Sequence, residues 1–178
     1  PSGVRYDELA ADNMVVCTLD GEKIDDGTPA ALTPSSDTAA HAYVYRHMED
    51  VGGVVHTHST YATAFASLHR PIPCVLTMMG DEFGGEVPVG PFAIIGDDSI
   101  GRGIVETLRD SRSPAVLMAN HGPFTIGKDA QAAVKAAVMV EEVARTVAMA
   151  QLLGDPVPVA QGAIDSLYAR YQNVYGQH

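Results

Sequence analysis

Positive charge is scarce in this chain: 11 Lys and Arg stand against 22 Asp and Glu, a formal net charge of −11. Nucleic acid is bound by basic surfaces, so this balance argues against it as a partner. An anionic ligand would have to be held locally, by hydroxyls, a helix N-terminus, a metal or a few cations, rather than by the overall field. Cysteine is also scarce. Cys17 and Cys74 form no Cys-x-x-Cys pair and read as buried small hydrophobes in a reducing, cytoplasmic setting. No apolar run approaches the roughly 20 residues needed to span a bilayer, so no membrane partner is expected. The opening Pro1-Ser2-Gly3-Val4-Arg5-Tyr6 has neither the charged nor the apolar region of a signal peptide, and the missing initial Met points to a fragment or a processed chain. Internal repeats, low-complexity tracts and charge blocks are absent.

What is present suits one α/β domain. The 178 residues, 46% of them hydrophobic, can bury one sizeable core. Apolar alternation and turn residues predict strands at Met14 to Leu19, Gly53 to His58, Phe92 to Ile95, Ala115 to Ala119 and Phe124 to Ile126. Pro71 to Leu76 reads as an irregular edge strand, and the glycine-rich stretch from Gly80 to Pro91 as loop. Helices are expected behind Ser35-Ser36-Asp37, from Ser59 to about Leu68, from Ser99 to about Leu108, from Ala130 to Leu153 and from Gln161 to Tyr171. Interleaved strands and helices imply a central sheet with helices on both faces.

The most informative segment is Gly52-Gly53-Val54-Val55-His56-Thr57-His58-Ser59. Strand side chains alternate, so His56 and His58 project from one side. His121, in Asn120-His121-Gly122-Pro123-Phe124, follows another buried strand and occupies the matching place. Three neutral imidazoles leave a coordination position open, the arrangement of a catalytic zinc, and an all-nitrogen set favours zinc over magnesium or calcium. Other residues have plainer readings beside the functional ones. Asp37 would serve as a helix N-cap, although the hydroxyl-rich start made by Ser35 and Ser36 could hold a phosphate. Asp81 would be a loop turn residue, Tyr175 an anchoring aromatic of the C-terminal tail, and His41, His47 and His69 core or surface residues of helices.

Pro34-Ser35-Ser36-Asp37 with His41, then Val55-His56-Thr57-His58-Ser59, then Asn120-His121-Gly122-Pro123-Phe124 with Gly127-Lys128, resemble the class II aldolase/epimerase family across nearly the whole chain. The Asp81 loop and the ending Tyr175-Gly176-Gln177 look most like its L-ribulose-5-phosphate 4-epimerase branch. The resemblance implies a mostly antiparallel or mixed sheet flanked by helices over residues 1–178, with an N-terminal helix and first phosphate loop of the family lacking. It implies one Zn²⁺ per subunit on His56, His58 and His121, approached by Asp37, and an acid/base pair, Asp81 and Tyr175, on opposite faces of the substrate. Ser35 and Ser36, and Ser2 with Gly3, match contacts to the substrate phosphate. The implied partner is a phosphorylated pentulose, and the implied assembly is a homotetramer with sites shared between subunits. The implied route is retro-aldol cleavage of a C3–C4 bond, rotation of the aldehyde fragment and re-addition on its other face. Aldolases of the family carry a glutamate where this chain has Asp37, which favours the epimerase. Departures from the pattern are Leu167, where many epimerases carry a histidine, and a shorter stretch between Glu86 and Phe92. An aldolase that releases its aldehyde, and a non-catalytic adducin-like relative, are the alternative members.

Overall fold

Ala115–Met118 is apolar at every position because both of its faces are covered, and it becomes an inner strand. The structure is a computed structural model and describes residues 1–25 and 27–174. Its four strands are β1 (Gly53–His56), β2 (Val89–Gly90), β3 (Ala115–Met118) and β4 (Gly122–Gly127), ordered β1-β4-β3-β2. β4 runs antiparallel to β1 and β3, whereas β2 runs parallel to β3, so the sheet is mixed. The helices are α1 (Thr38–His47), α2 (Thr60–Ser67), α3 (Thr77–Phe83), α4 (Ser99–Leu108), α5 (Ala130–Leu153) and α6 (Gln161–Asn173). Alternation along β3 divides the core. Ala115 and Leu117 pack with Phe65 of α2, Phe83 of α3, Val140 of α5 and Ile164 of α6. Val116 and Met118 face Val44 of α1 and Ile104 of α4 on the other side. Among the described residues, no helix is long and apolar enough to cross a membrane.

Four expected elements differ. Met14 to Leu19 and Phe92 to Ile95 are not strands but contribute single bridges, Cys17 to Lys23 and Ile95 to Asp97. Val16 (47% exposed) and Ile94 (73% exposed) have no sheet face to pack against, so apolar alternation alone does not make a strand there. Thr77–Phe83 is a helix rather than the start of a loop. Met79 and Phe83, four apart and fully buried, supply its inner face, and Gly84 ends it at φ +62°. The expected edge strand at Pro71 to Leu76 reduces to one bridge between Ile72 and Val87.

Gly53 allows β1 to lie against the start of α5. A Cβ there would stand 2.3 Å from the Asp129 carbonyl oxygen and 2.7 Å from the Ala130 nitrogen, both backbone atoms that cannot swing aside. Gly53→Ala is therefore expected to cost about 2–4 kcal/mol, in the range of overpacked cores with backbone displacement. Denaturant unfolding checks this, and a change under about 0.5 kcal/mol would show that the two segments separate freely.

Candidate metal centre

β1, β2 and β3 run in one direction, because β1 and β3 are each antiparallel to β4. His56 ends β1, and His121 sits in the turn that follows β3, so both lie at one end of the sheet. Asn120 adopts φ +57°, a left-handed conformation that Asn tolerates, and the His121 N–H donates to the Met118 carbonyl at 3.0 Å, closing the turn. His58 lies beyond the last residue of β1, yet the Thr57 N–H still donates to the Pro123 carbonyl at 3.3 Å and carries the pairing onward.

The result is convergence. One ring nitrogen from each of His56, His58 and His121 lies within 4.8 Å of the others, and among the described residues this is the one such group. His56 Nδ1 is 3.0 Å from the Pro123 carbonyl oxygen, so Nδ1–H donates and the lone pair is left on Nε2, facing His58 Nε2 at 3.0 Å. The cross-strand partner of His56 is Phe124, whose ring stacks on the imidazole at 4.0 Å between centroids. Burial, followed by the neighbouring imidazoles, pushes the His56 pKa down to about 4, against the Pro123 carbonyl and Asp37, which favour its charged form. Burial also lowers His121, again against Asp37. Both rings are therefore neutral near pH 7 and able to donate to a cation.

Asp37 stands at the N-cap of α1 but makes no side-chain cap bond. Its Oδ2 accepts from Ser36 Oγ at 3.5 Å, while Oδ1 is buried without a partner among the described residues. A buried carboxylate oxygen is not left unpaired at no cost. An orphaned carboxylate oxygen beside three imidazoles suits a divalent cation, and the donor set passes that test. Next to it is a cavity of about 450 Å³ lined by Ser2, Gly3, Ser35, Ser36, Asp37, His56 and His58. The Ser2 N–H donates to the Thr33 carbonyl at 3.0 Å, which fixes the N-terminal segment across the start of α1. A larger cavity of about 740 Å³ opens at the far end of β4 beside Lys128 and Tyr168 and contains none of the three histidines; size does not locate the chemistry here.

Asp81 is elsewhere. It lies on α3, and neither the histidine group nor the cavity beside it includes it. α3 packs against α6, and a Cβ on Gly80 would meet Leu167 Cδ1 at 2.9 Å. Tyr175 lies outside the described residues. Three contributors escaped the sequence reading: the Pro123 carbonyl that sets the His56 tautomer, the Phe124 ring beneath it, and Glu141, whose carboxylate accepts from the N–H groups of Tyr61 and Ala62. Ser59, the expected side-chain cap of α2, makes no cap bond. Only Glu141 left a trace in the sequence, as a carboxylate bordering the buried face of a helix.

A mixed sheet between two helical layers, with three imidazoles that could hold a metal ion at the ends of its strands and a hydroxyl-lined cavity beside them, defines the class as an α/β domain. The chain belongs to the family described as Class II Aldolase and Adducin N-terminal domain, which matches residues 1–148. It is 41% identical over 154 residues to L-ribulose-5-phosphate 4-epimerase UlaF of Salmonella paratyphi C, an alignment covering 82% of this chain and 66% of that protein. The chain thus spans just under two thirds of the length of this relative. Among solved structures, it resembles an L-fuculose 1-phosphate aldolase with a TM-score of 0.86 and 26% identity over 97% of this chain and 78% of that one. It also resembles YgbL of Klebsiella pneumoniae with a TM-score of 0.74 and 31% identity, covering 90% of this chain and 75% of that one.

Proposed function

We propose that this chain is a zinc-dependent, cytoplasmic epimerase that interconverts L-ribulose 5-phosphate and D-xylulose 5-phosphate. The observation that carries the reading is the convergence of His56, His58 and His121 beside a cavity whose rim is Ser2, Gly3, Ser35 and Ser36. The 41% identity to a protein of that activity supports the choice of sugar.

The carbon inverted has no acidic proton, which disfavours direct deprotonation, and the resemblance to the family points to breaking and remaking its C3–C4 bond. His56, His58 and His121 would hold a divalent cation, which would supply positive charge where negative charge develops as that bond breaks. The chain's own residues do the rest. Neutral His56 and His121 donate lone pairs without first losing a proton, and the buried Asp37 Oδ1 adds negative charge at the same place. The hydroxyls of Ser35, Ser36 and Ser2 and the Gly3 backbone hold the substrate phosphate against the acidic field of the protein. Asp81 and the Tyr175 hydroxyl give and take the proton on opposite sides of the aldehyde carbon, one for each epimer. Because Asp81 lies apart from the histidines of its own chain, the pair serves the site of a neighbouring subunit, and the working assembly is a homotetramer.

Incubation with L-ribulose 5-phosphate tests the reading. D-Xylulose 5-phosphate should accumulate, chelation should abolish the conversion, and zinc should restore it. Free aldehyde and ketone fragments would instead favour an aldolase, the reading suggested by the likeness to L-fuculose 1-phosphate aldolase. Failure to retain any divalent metal would leave the non-catalytic adducin-like alternative.

A further inference from the structure

Helix α2 is tied at both ends to the segments that carry the histidines. Its first turn begins two residues after His58, and its N-cap residue Ser59 makes no side-chain cap bond. The free N–H groups of that turn meet a carboxylate from another helix instead. The Tyr61 N–H lies 3.0 Å from Glu141 Oε1 and 3.1 Å from Oε2, and the Ala62 N–H donates to Oε2 at 2.9 Å. At the other end, the Ala66 carbonyl accepts the N–H of Asn120 at 3.1 Å, one residue before His121, and the His69 ring hydrogen-bonds to Asn120 Oδ1. α2 is thus a strut between the His58 and His121 segments. The hydroxyls of Thr57, Ser59 and Thr63 around the same corner are buried without hydrogen-bond partners among the described residues, and none of them holds the first turn in place of Glu141.

We propose that Glu141 is a positioning residue for the metal centre. By accepting the first-turn N–H groups of α2, it sets where that strut sits along its axis, and with it the separation of His58 from His121. Charge-assisted bonds from helix N-terminal N–H groups are about twice as strong as neutral ones, so a carboxylate holds the strut more firmly than an amide would. The inference rests on the three-histidine metal reading.

The test is a Co²⁺ titration of the folded full chain, following both affinity and the visible absorption bands, which report ligand geometry. Wild type, Glu141→Ala, Glu141→Gln and Val147→Ala are compared, Val147 being a fully buried residue on the same helix and remote from the α2 cap. Glu141→Ala should weaken Co²⁺ binding roughly 10- to 100-fold, as loss of groups behind metal ligands does, and should shift the bands. Glu141→Gln should fall between it and wild type. Val147→Ala should lower the melting temperature but leave affinity and spectrum unchanged. Wild-type affinity and spectrum in Glu141→Ala, or in Glu141→Gln should the alanine variant not fold, would overturn the proposal. So would an equal loss in Val147→Ala, since the role would then be general stability. A wild-type chain that binds no Co²⁺ would overturn the metal reading itself, and this proposal with it.

Discussion

His121→Ala should leave a folded protein that neither retains metal nor turns over substrate, with activity lower by at least about 10³-fold. The expectation follows from where each ligand sits. His56 is held by the Pro123 carbonyl and the Phe124 ring, and His58 by the corner between β1 and α2, so both remain in place when the third ring is removed. Two imidazoles and one carboxylate oxygen then face the ion, and it is held more weakly by a set lacking its third nitrogen. The His121 ring is half-buried and meets the core at the edge of the Phe124 ring, 5.6 Å between centroids, a peripheral contact whose loss the fold should survive. The matched control is His47→Ala, which removes a ring stacked on Tyr43 at 3.8 Å and far from the site. It should bind metal and turn over as wild type does. Metal content after dialysis, circular dichroism and the epimerisation rate distinguish the two variants. Stoichiometric metal retained by His121→Ala would remove that residue from the ligand set.

The three-histidine group was legible because its rules are local. Alternation put His56 and His58 on one side of a strand, and a buried apolar run followed by Asn-His-Gly put His121 at the end of another. The sequence does not reveal that β1 and β3 point the same way; that comes from β4 running back between them, and it is what brings the three rings together. The apolar runs that failed as strands show the other limit. Val16 and Ile94 have the right residue types, but a strand exists only where a neighbour offers its backbone, and those segments lie outside the sheet. In α3 the error ran in the opposite direction. Glycine at positions 80, 84 and 85 suggested a loop, yet Gly80 is small because Leu167 of α6 presses against it, and only Gly84 marks an end. Glycine reports a close approach as readily as a turn. Asp37 was read first as a cap, and the structure gives it the cap position without the cap bond, leaving a buried carboxylate oxygen free for another duty.

Asp81 is not among the residues that line the cavity beside the histidines, so a mixed-subunit experiment should produce the other large effect. Asp81→Asn alone should reduce epimerisation by about 10²- to 10⁴-fold, the usual range for loss of a general acid or base. His56→Ala alone should be inactive through loss of the metal. Neither homo-oligomer contains a complete site. If each site combines the histidines of one subunit with Asp81 of the next, random co-assembly in equal amounts makes about one site in four fully wild type in a closed ring. Activity should then return to about a quarter of the wild-type level, from two nearly dead parents. Differently tagged chains purified through both tags isolate the mixed species. α3 is fixed to α6 by packing around Met79, Phe83 and Ile164, which holds Asp81 in one place on the subunit. Mixed assemblies as inactive as their parents would mean that Asp81 serves its own subunit. Wild-type turnover in Asp81→Asn alone would mean that it has no part in the chemistry, so the single variant and the mixture together separate the two outcomes.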